Sequence, residues 1–152
     1  MSVLDNALRA LFVNGCKVEE VWRNASPAST FPAQKITADL SSFDLVVALA
    51  RMTTTNMREG IAVCEKEGQS QIQFVLGQNK APYITNRYRG LTASNNGVQF
   101  NDGYLAYSSA AEEAYSTVVI PTVIYGIKLL GGGYRIARFI KSLFFRMERG
   151  WA

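Results

Sequence analysis

The sequence contains no histidine among its 152 residues, and it has only two cysteines and four prolines. Without histidine there are no Ser-His-Asp or Cys-His nucleophile pairs, no histidine metal ligands and no histidine pH switches. No apolar run reaches the roughly 18 residues of a membrane-spanning helix. Cys16 and Cys64 do not match a metal-site spacing, and Cys64 is expected to be a small buried side chain. These absences argue against most enzyme classes, and we expect no cofactor.

The remaining composition is that of one globular domain. Hydrophobic residues make up 48% of the chain and charged residues 18%, which is ordinary for a folded protein. The N-terminus lacks a basic region followed by an apolar stretch, so we expect no signal peptide and synthesis in a cytoplasm.

The positive charge is concentrated at the C-terminus. Residues 1–133 carry eleven Lys or Arg and eleven Asp or Glu, whereas residues 134–152 carry five basic residues against Glu148. A nucleic-acid-binding domain normally has a basic stripe across its fold. The distribution therefore indicates a neutral body with a basic tail.

The central part of the chain has the pattern of short strands separated by turns. No amphipathic segment of helical length interrupts it, which favours an antiparallel sandwich or barrel over a parallel sheet. We predict a mainly β fold, a jelly-roll-like antiparallel β-sandwich over residues 16–130. The candidate strands are 17–23, 34–40, 43–51, 60–66, 71–76, 83–93, 97–101, 103–108 and 117–129.

Turn residues divide these strands. Asn95-Asn96-Gly97 and Asn101-Asp102-Gly103 predict tight hairpins, because Asn, Asp and Gly tolerate positive φ. Asn24-Ala25-Ser26 matches a glycosylation pattern, but without a secretory signal we interpret it as turn chemistry. Pro121 lies inside the last apolar run and predicts an edge, a bulge or a bend.

Both ends of the chain are expected to be helical. Residues 1–15 contain a short segment with leucines at helical spacing, and residues 131–133 are three glycines that predict a hinge. Residues 134–149 follow as a basic amphipathic helix. Its apolar side carries Ile136, Phe139, Ile140, Leu143, Phe144 and Met147, and its polar side carries Arg135, Arg138, Ser142, Arg146 and Arg149.

Several roles remain open for this C-terminal helix. It is suited to lie in a membrane interface, to meet nucleic acid electrostatically, or to dock its apolar side on protein. Docking on protein, in its own chain or a partner, is favoured because so much apolar surface does not stay exposed. The glycine hinge favours a partner chain. The predicted partner-binding residues are Arg135, Ile136, Arg138, Phe139, Ile140, Leu143, Phe144, Arg146 and Met147.

One internal segment mixes aromatic residues with arginine. Tyr83, Arg87, Tyr88 and Arg89 are candidates for contact with a ligand or host surface, because tyrosine and arginine are favoured at binding surfaces and tyrosine stacks on sugar rings. The alternative is an ordinary strand with one packed and one wet face. Glu65 and Glu67 form a carboxylate pair of the kind used by glycosidases, although a solvated strand end is the favoured interpretation.

Two stretches resemble small phage and prophage structural proteins encoded among tail and fibre genes. The first is Trp22-x-Asn24-Ala25-Ser26-Pro27-x-Ser29-x-Phe31-x-Ala33-Gln34, and the second is Ile120-Pro121-Thr122-Val123-Ile124-Tyr125-Gly126-Ile127-Lys128. The resemblance covers residues 20–128 and implies a compact β domain at a tail, fibre or capsid surface. Its motifs are structural, so it assigns no catalytic residue. The N-terminal segment and the basic C-terminal helix depart from it.

The sequence therefore predicts a virion structural protein of the tail or fibre region, made in a bacterial cytoplasm. It is expected to assemble with copies of itself and other virion proteins, and to be a candidate for contact with a host glycan. A capsid head-decoration or head-fibre protein is the alternative, and a membrane-interface protein is a third hypothesis. Contact with membrane or nucleic acid is less favoured.

Overall fold

The computed structural model describes residues 16–77, 84–107 and 113–129, which form nine β-strands. The predicted helices, the glycine hinge and Tyr83 lie outside these residues. No helix within the described ranges is long and apolar enough to cross a membrane. The strands are β1 (Cys16–Arg23), β2 (Gln34–Thr37), β3 (Leu45–Thr53), β4 (Glu59–Glu65), β5 (Gln69–Gly77), β6 (Ile84–Ser94), β7 (Gly97–Tyr107), β8 (Glu113–Ala114) and β9 (Val118–Leu129).

The strands form two antiparallel sheets. Sheet A has the order β1-β9-β3-β4, and sheet B has the order β2-β7-β6-β5, with the short β8 also paired to β7. A buried apolar cluster contains residues of both sheets, so the two pack on each other. The prediction of a mainly β, antiparallel two-sheet fold is confirmed.

The core between the sheets follows from the alternation of side chains along each strand. On the central strand β3, Val46, Ala48 and Ala50 face sheet B, and each is fully buried. Sheet B contributes Ile36, Ile72, Leu91, Ala93, Val98 and Phe100 to the same cluster. The candidate strand 43–51 corresponds to β3, which begins at Leu45 and ends at Thr53.

One of the two predicted hairpins is confirmed, and the other is wrong. Asn95 and Asn96 join β6 to β7, with Gly97 at φ 138°. A Cβ atom on Gly97 would lie 2.1 Å from the carbonyl oxygen of Ile36, so glycine is required there. The segment 101–103 lies inside β7. Its first two residues oppose a single residue of β6, which is a β-bulge rather than a turn.

Pro121 also lies at a bulge, one of the three outcomes predicted for it. The pairing of β3 with β9 shifts between Leu49↔Val123 and Ala50↔Pro121, which leaves Thr122 as the extra residue. The Asn24 side-chain amide donates to the Pro121 carbonyl at 2.9 Å. The Ser26 backbone N–H donates to Asn24 Oδ1 at 2.9 Å, which confirms the predicted turn.

Candidate functional site

The predicted ligand-contact segment lies on β6, where successive side chains point to opposite faces of sheet B. Tyr88 points outward. Arg87 and Arg89 have the opposite parity and point toward sheet A, as Leu91 does. Tyr83 lies outside the described residues. The structure therefore does not bring the described members of this set onto one surface.

Arg89 is 0% exposed, and its guanidinium binds four backbone carbonyls. Nε donates to the Val119 oxygen at 2.7 Å, and Nη1 donates to the Asn101 oxygen. Nη2 donates to the Phe31 oxygen at 2.7 Å and to the Val118 oxygen at 3.2 Å. These carbonyl dipoles replace the water that a buried cation loses.

Burial lowers the pKa of Arg89 to about 10, and the nearby charge of Asp102 acts in the opposite direction. The guanidinium remains protonated at neutral pH, so a full positive charge lies between the sheets. The Phe31 ring covers this charge, with its centroid 5.2 Å from the guanidinium carbon.

The backbone around Arg89 is shaped for close approach. A Cβ atom on Gly103 would lie 2.3 Å from the Val118 oxygen and 2.9 Å from Arg89 Nη2. Val119 has φ 49°, a left-handed conformation that costs a β-branched residue about 1–2 kcal/mol. The strained residue thus supplies one carbonyl to Arg89, and the residue before it supplies another.

The prediction that Arg89 contacts a ligand or host surface is therefore wrong. Its side chain is enclosed, and its donors bind β7, the start of β9 and the segment that contains Phe31. The sequence pattern indicates this burial, because Arg89 lies on the same strand face as the apolar Leu91 and Ala93. Arg87 is half-buried on the same face.

The outer face of sheet B carries a group that we call the tyrosine–amide face, formed by Gln71, Gln73, Tyr88, Asn101 and Tyr104. Tyr88 and Tyr104 are register partners on β6 and β7, and their rings stack with centroids 5.3 Å apart at 20°. Gln71, Gln73 and Asn101 are exposed. All five side chains are uncharged, so the face offers flat rings and amide donors and acceptors to a neutral ligand.

Gly90 makes room for one of these amides. It lies between Gln71 and the bulge of β7, and a Cβ atom there would lie 2.9 Å from Asn101 Nδ2. The bulge that replaces the predicted hairpin therefore places Asn101 over Gly90, beside Tyr88. Tyr88 was among the predicted contact residues, but Asn101 and Tyr104 were not, because the residues of the bulge were predicted as a turn.

Sheet A has a second apolar layer on the side away from sheet B, which we call the outer apolar face. Val47, Leu49, Tyr125 and Ile127 are each 1% exposed there. Every described residue of this layer lies on one of the four strands of sheet A, which are β1, β9, β3 and β4. The full set is Cys16, Val47, Leu49, Val123, Tyr125 and Ile127, with Val18, Leu45, Ile61, Val63 and Leu129 half-buried beside them.

The remaining chemical candidates do not form a reactive group in the described ranges. Cys16 and Cys64 are free and buried, and burial raises the pKa of both thiols, that of Cys64 to about 11. This favours the unreactive thiol over the thiolate. Glu65 ends β4, whereas Glu67 lies in the following turn and accepts a bond from Asn95, so they do not share a strand face.

The described residues thus define an antiparallel β-sandwich with one apolar layer between its sheets and another outside sheet A. No protein-family model, curated protein or solved structure matches the chain. The predicted partner-binding residues of segment 134–149 lie outside the described residues. The resemblance to phage structural proteins stays a prediction.

Proposed function

We propose that the protein is a structural component of a phage virion, in the tail or fibre region, that assembles as a homo-oligomer through its terminal segments. The outer apolar face of sheet A carries this proposal. A sheet that faces water on one side is normally polar there. Here Leu49 and Ile127 are as buried as the core between the sheets, and no described residue outside sheet A belongs to their layer.

Both terminal segments join the described part of the chain at one corner of this face. Cys16 and Leu129 are register partners at the ends of β1 and β9. Residues 15 and 130 are therefore attached to neighbouring ends of sheet A, and we propose that both terminal segments reach its outer apolar face. A helix over 134–149 would be about 24 Å long, close to the roughly 30 Å of the nine-residue strand β3.

The chemistry of segment 134–149 is complementary to this face. Ile136, Ile140, Leu143 and Met147 fall on one side at helical spacing and suit an apolar sheet. The arginines then point away and are available to acidic groups of neighbouring virion proteins. The glycines at 131–133 allow the segment to cross to another copy, an exchange that links identical chains by symmetry.

The residues that carry the phage resemblance have structural roles. Trp22 packs edge-on against Phe31 at 6.1 Å, and Phe31 packs against Phe100 at 5.6 Å. Asn24 holds the bulge of β9. Alternation between the sheets, as in the predicted jelly roll, is limited to β1, β2 and β3. Strands β3 and β4 instead pair within sheet A, and β5, β6 and β7 pair in chain order within sheet B. A rigid domain braced in this way suits a repeated building block.

A capsid head-decoration or head-fibre protein uses the same features at a different place in the particle. It is distinguished by which virion protein the C-terminal segment meets. A membrane-interface protein requires the same apolar side chains to enter lipid, and flotation with anionic vesicles separates it from the assembly proposal. Binding to nucleic acid is tested by its dependence on salt.

A second candidate function is contact with a neutral host glycan at the tyrosine–amide face. The specific observation is the stacked pair of Tyr88 and Tyr104 beside exposed, uncharged amides. Arg89 has no part in it, because it is buried. Glycan-array binding is expected to fall with Tyr88→Ala and to persist with Thr92→Ala, a control on the same face. Equal binding by both variants contradicts this function.

The assembly proposal is tested by a matched pair of charge substitutions in the full chain. Ile140→Asp introduces a carboxylate on the apolar side of segment 134–149, whereas Ser142→Asp adds the same charge on its polar side. We expect Ile140→Asp to lose incorporation into particles and Ser142→Asp to retain it. Incorporation of both variants at wild-type levels refutes anchoring by the segment.

A further inference from the structure

Strand β5 forms an edge of sheet B without the features that normally protect an edge. Its nine residues, Gln69–Gly77, include no charged residue and no proline. Within the described ranges, β5 pairs with β6 alone. A long uncharged edge presents free backbone donors and acceptors to another strand.

The other three edges differ from β5. The edge strand β1 carries four charged residues, with Lys17 bound to Glu19 and Arg23 bound to Glu20. The edge strand β4 has a glutamate at each end. The edge strand β2 is four residues long and includes a lysine. Charge and short length are the devices that stop edges from pairing, and β5 has neither.

The side chains of β5 fix which face it presents. Ile72 is fully buried and Phe74 packs on the core, so the strand cannot slip by one residue without exposing them. Gln71, Gln73 and Val75 point outward, and Val75 is 63% exposed. An exposed β-branched side chain between uncharged neighbours on an edge strand suits a cross-strand contact.

We propose that β5 pairs antiparallel with β5 of a second copy, about a two-fold axis at Gln73. This inference rests on the proposed homo-oligomeric assembly and names one of its interfaces. Gln73 then lies opposite the partner subunit's Gln73, and Val75 lies opposite the partner subunit's Gln71. Identical glutamine amides satisfy each other, because each has donors and an acceptor. No like charges meet, and the two B sheets become one continuous sheet.

Crosslinking of the full chain tests this register. A short bis-maleimide is expected to join copies of Gln73→Cys, whose thiols flank the two-fold axis. Thr92→Cys is the control, because Thr92 is exposed on the same outer face but lies on the internal strand β6. The wild type supplies the background, since Cys16 and Cys64 are buried. Equal crosslinking of the two variants, or none for Gln73→Cys, overturns the proposal.

Light scattering supplies an independent measurement. Gln73→Lys places two like charges together at the axis and is expected to halve the mass of the assembled species, whereas Thr92→Lys leaves it unchanged. An unchanged mass for Gln73→Lys overturns the edge pairing. The proposed function is tested by a different measurement, the incorporation of Ile140→Asp and Ser142→Asp into particles. The two proposals can therefore fail independently.

Discussion

Replacement of Arg89 by leucine tests whether its carbonyl network stabilises the sandwich. The substitution keeps an apolar side chain between the sheets but removes the donors to Phe31, Asn101, Val118 and Val119. A buried carbonyl that loses its donor costs about 1–3 kcal/mol. Four such losses are not additive, because the variant also avoids the cost of burying a charge.

We therefore expect Arg89→Leu to lower the free energy of unfolding by about 3–5 kcal/mol, which is more than one unpaired carbonyl costs but less than the sum of four. This is a large share of the roughly 5–15 kcal/mol that stabilises a domain. Arg89→Lys keeps the charge on a single ammonium group that has no planar fork, so it is expected to lose a substantial part of this stability.

Urea unfolding followed by tryptophan fluorescence measures the effect. Trp22 contacts Phe31, which lies over the guanidinium, so its emission reports on this region. Arg87→Leu is the matched control, because Arg87 lies two residues away on the same strand face and is half-buried. It is expected to change stability by less than about 1 kcal/mol. A loss below about 1 kcal/mol for Arg89→Leu would show that the network does not stabilise the fold.

Four further predictions concern other features. Leu49→Ala is expected to cost about 2–5 kcal/mol, as in any core, whereas Val75→Ala is nearly neutral; similar thermal midpoints for the two would contradict a buried outer face. Gly97→Ala is expected to cost at least about 2 kcal/mol in urea unfolding because of its positive φ, and a neutral result would exclude that conformation. Val119→Gly is expected to have a free energy of unfolding at least as high as that of Val119→Ala, because glycine adopts the left-handed conformation without strain. This is the reverse of the usual order, and a free energy of unfolding higher by about 1 kcal/mol for Val119→Ala would show that the left-handed backbone is absent. The raised pKa of Cys64 contributes stability that is complete below pH 9.0 and lost as pH rises toward about 11; this decline is expected to be shallower in Cys64→Ala, and identical pH profiles would contradict it.

The strands could be predicted because their patterns are local. The turn at residues 95–97 and the apolar run of β3 were predicted from short stretches of sequence, and both are confirmed. The bulge at residues 101–103 was not predicted, because Asn, Asp and Gly suit a bulge as well as a hairpin. Only the pairing of β7 with its neighbours separates the two, and pairing is not a local property.

The candidate site was predicted in part. The tyrosine at position 88 was identified, but its ring partner Tyr104 lies on another strand, and no pattern along the chain specifies that pairing. The burial of Arg89 depends on carbonyls contributed by the segment at Phe31 and by the start of β9. The sequence shows that Arg89 has the parity of a core residue, but it does not show that carbonyls are available to accept its hydrogen bonds.

The enclosed charge of Arg89 constrains the order of events in folding. One of its acceptors, the Phe31 carbonyl, is separated from it by 58 residues, and another, the Val119 carbonyl, by 30. Until these distant segments arrive, the guanidinium must keep its hydration, because a partly dehydrated cation is costly. We therefore expect the space between the sheets to keep its water until both segments are in place. We expect a chain in which only one sheet has formed to remain wet inside, and the dry sandwich to appear all at once.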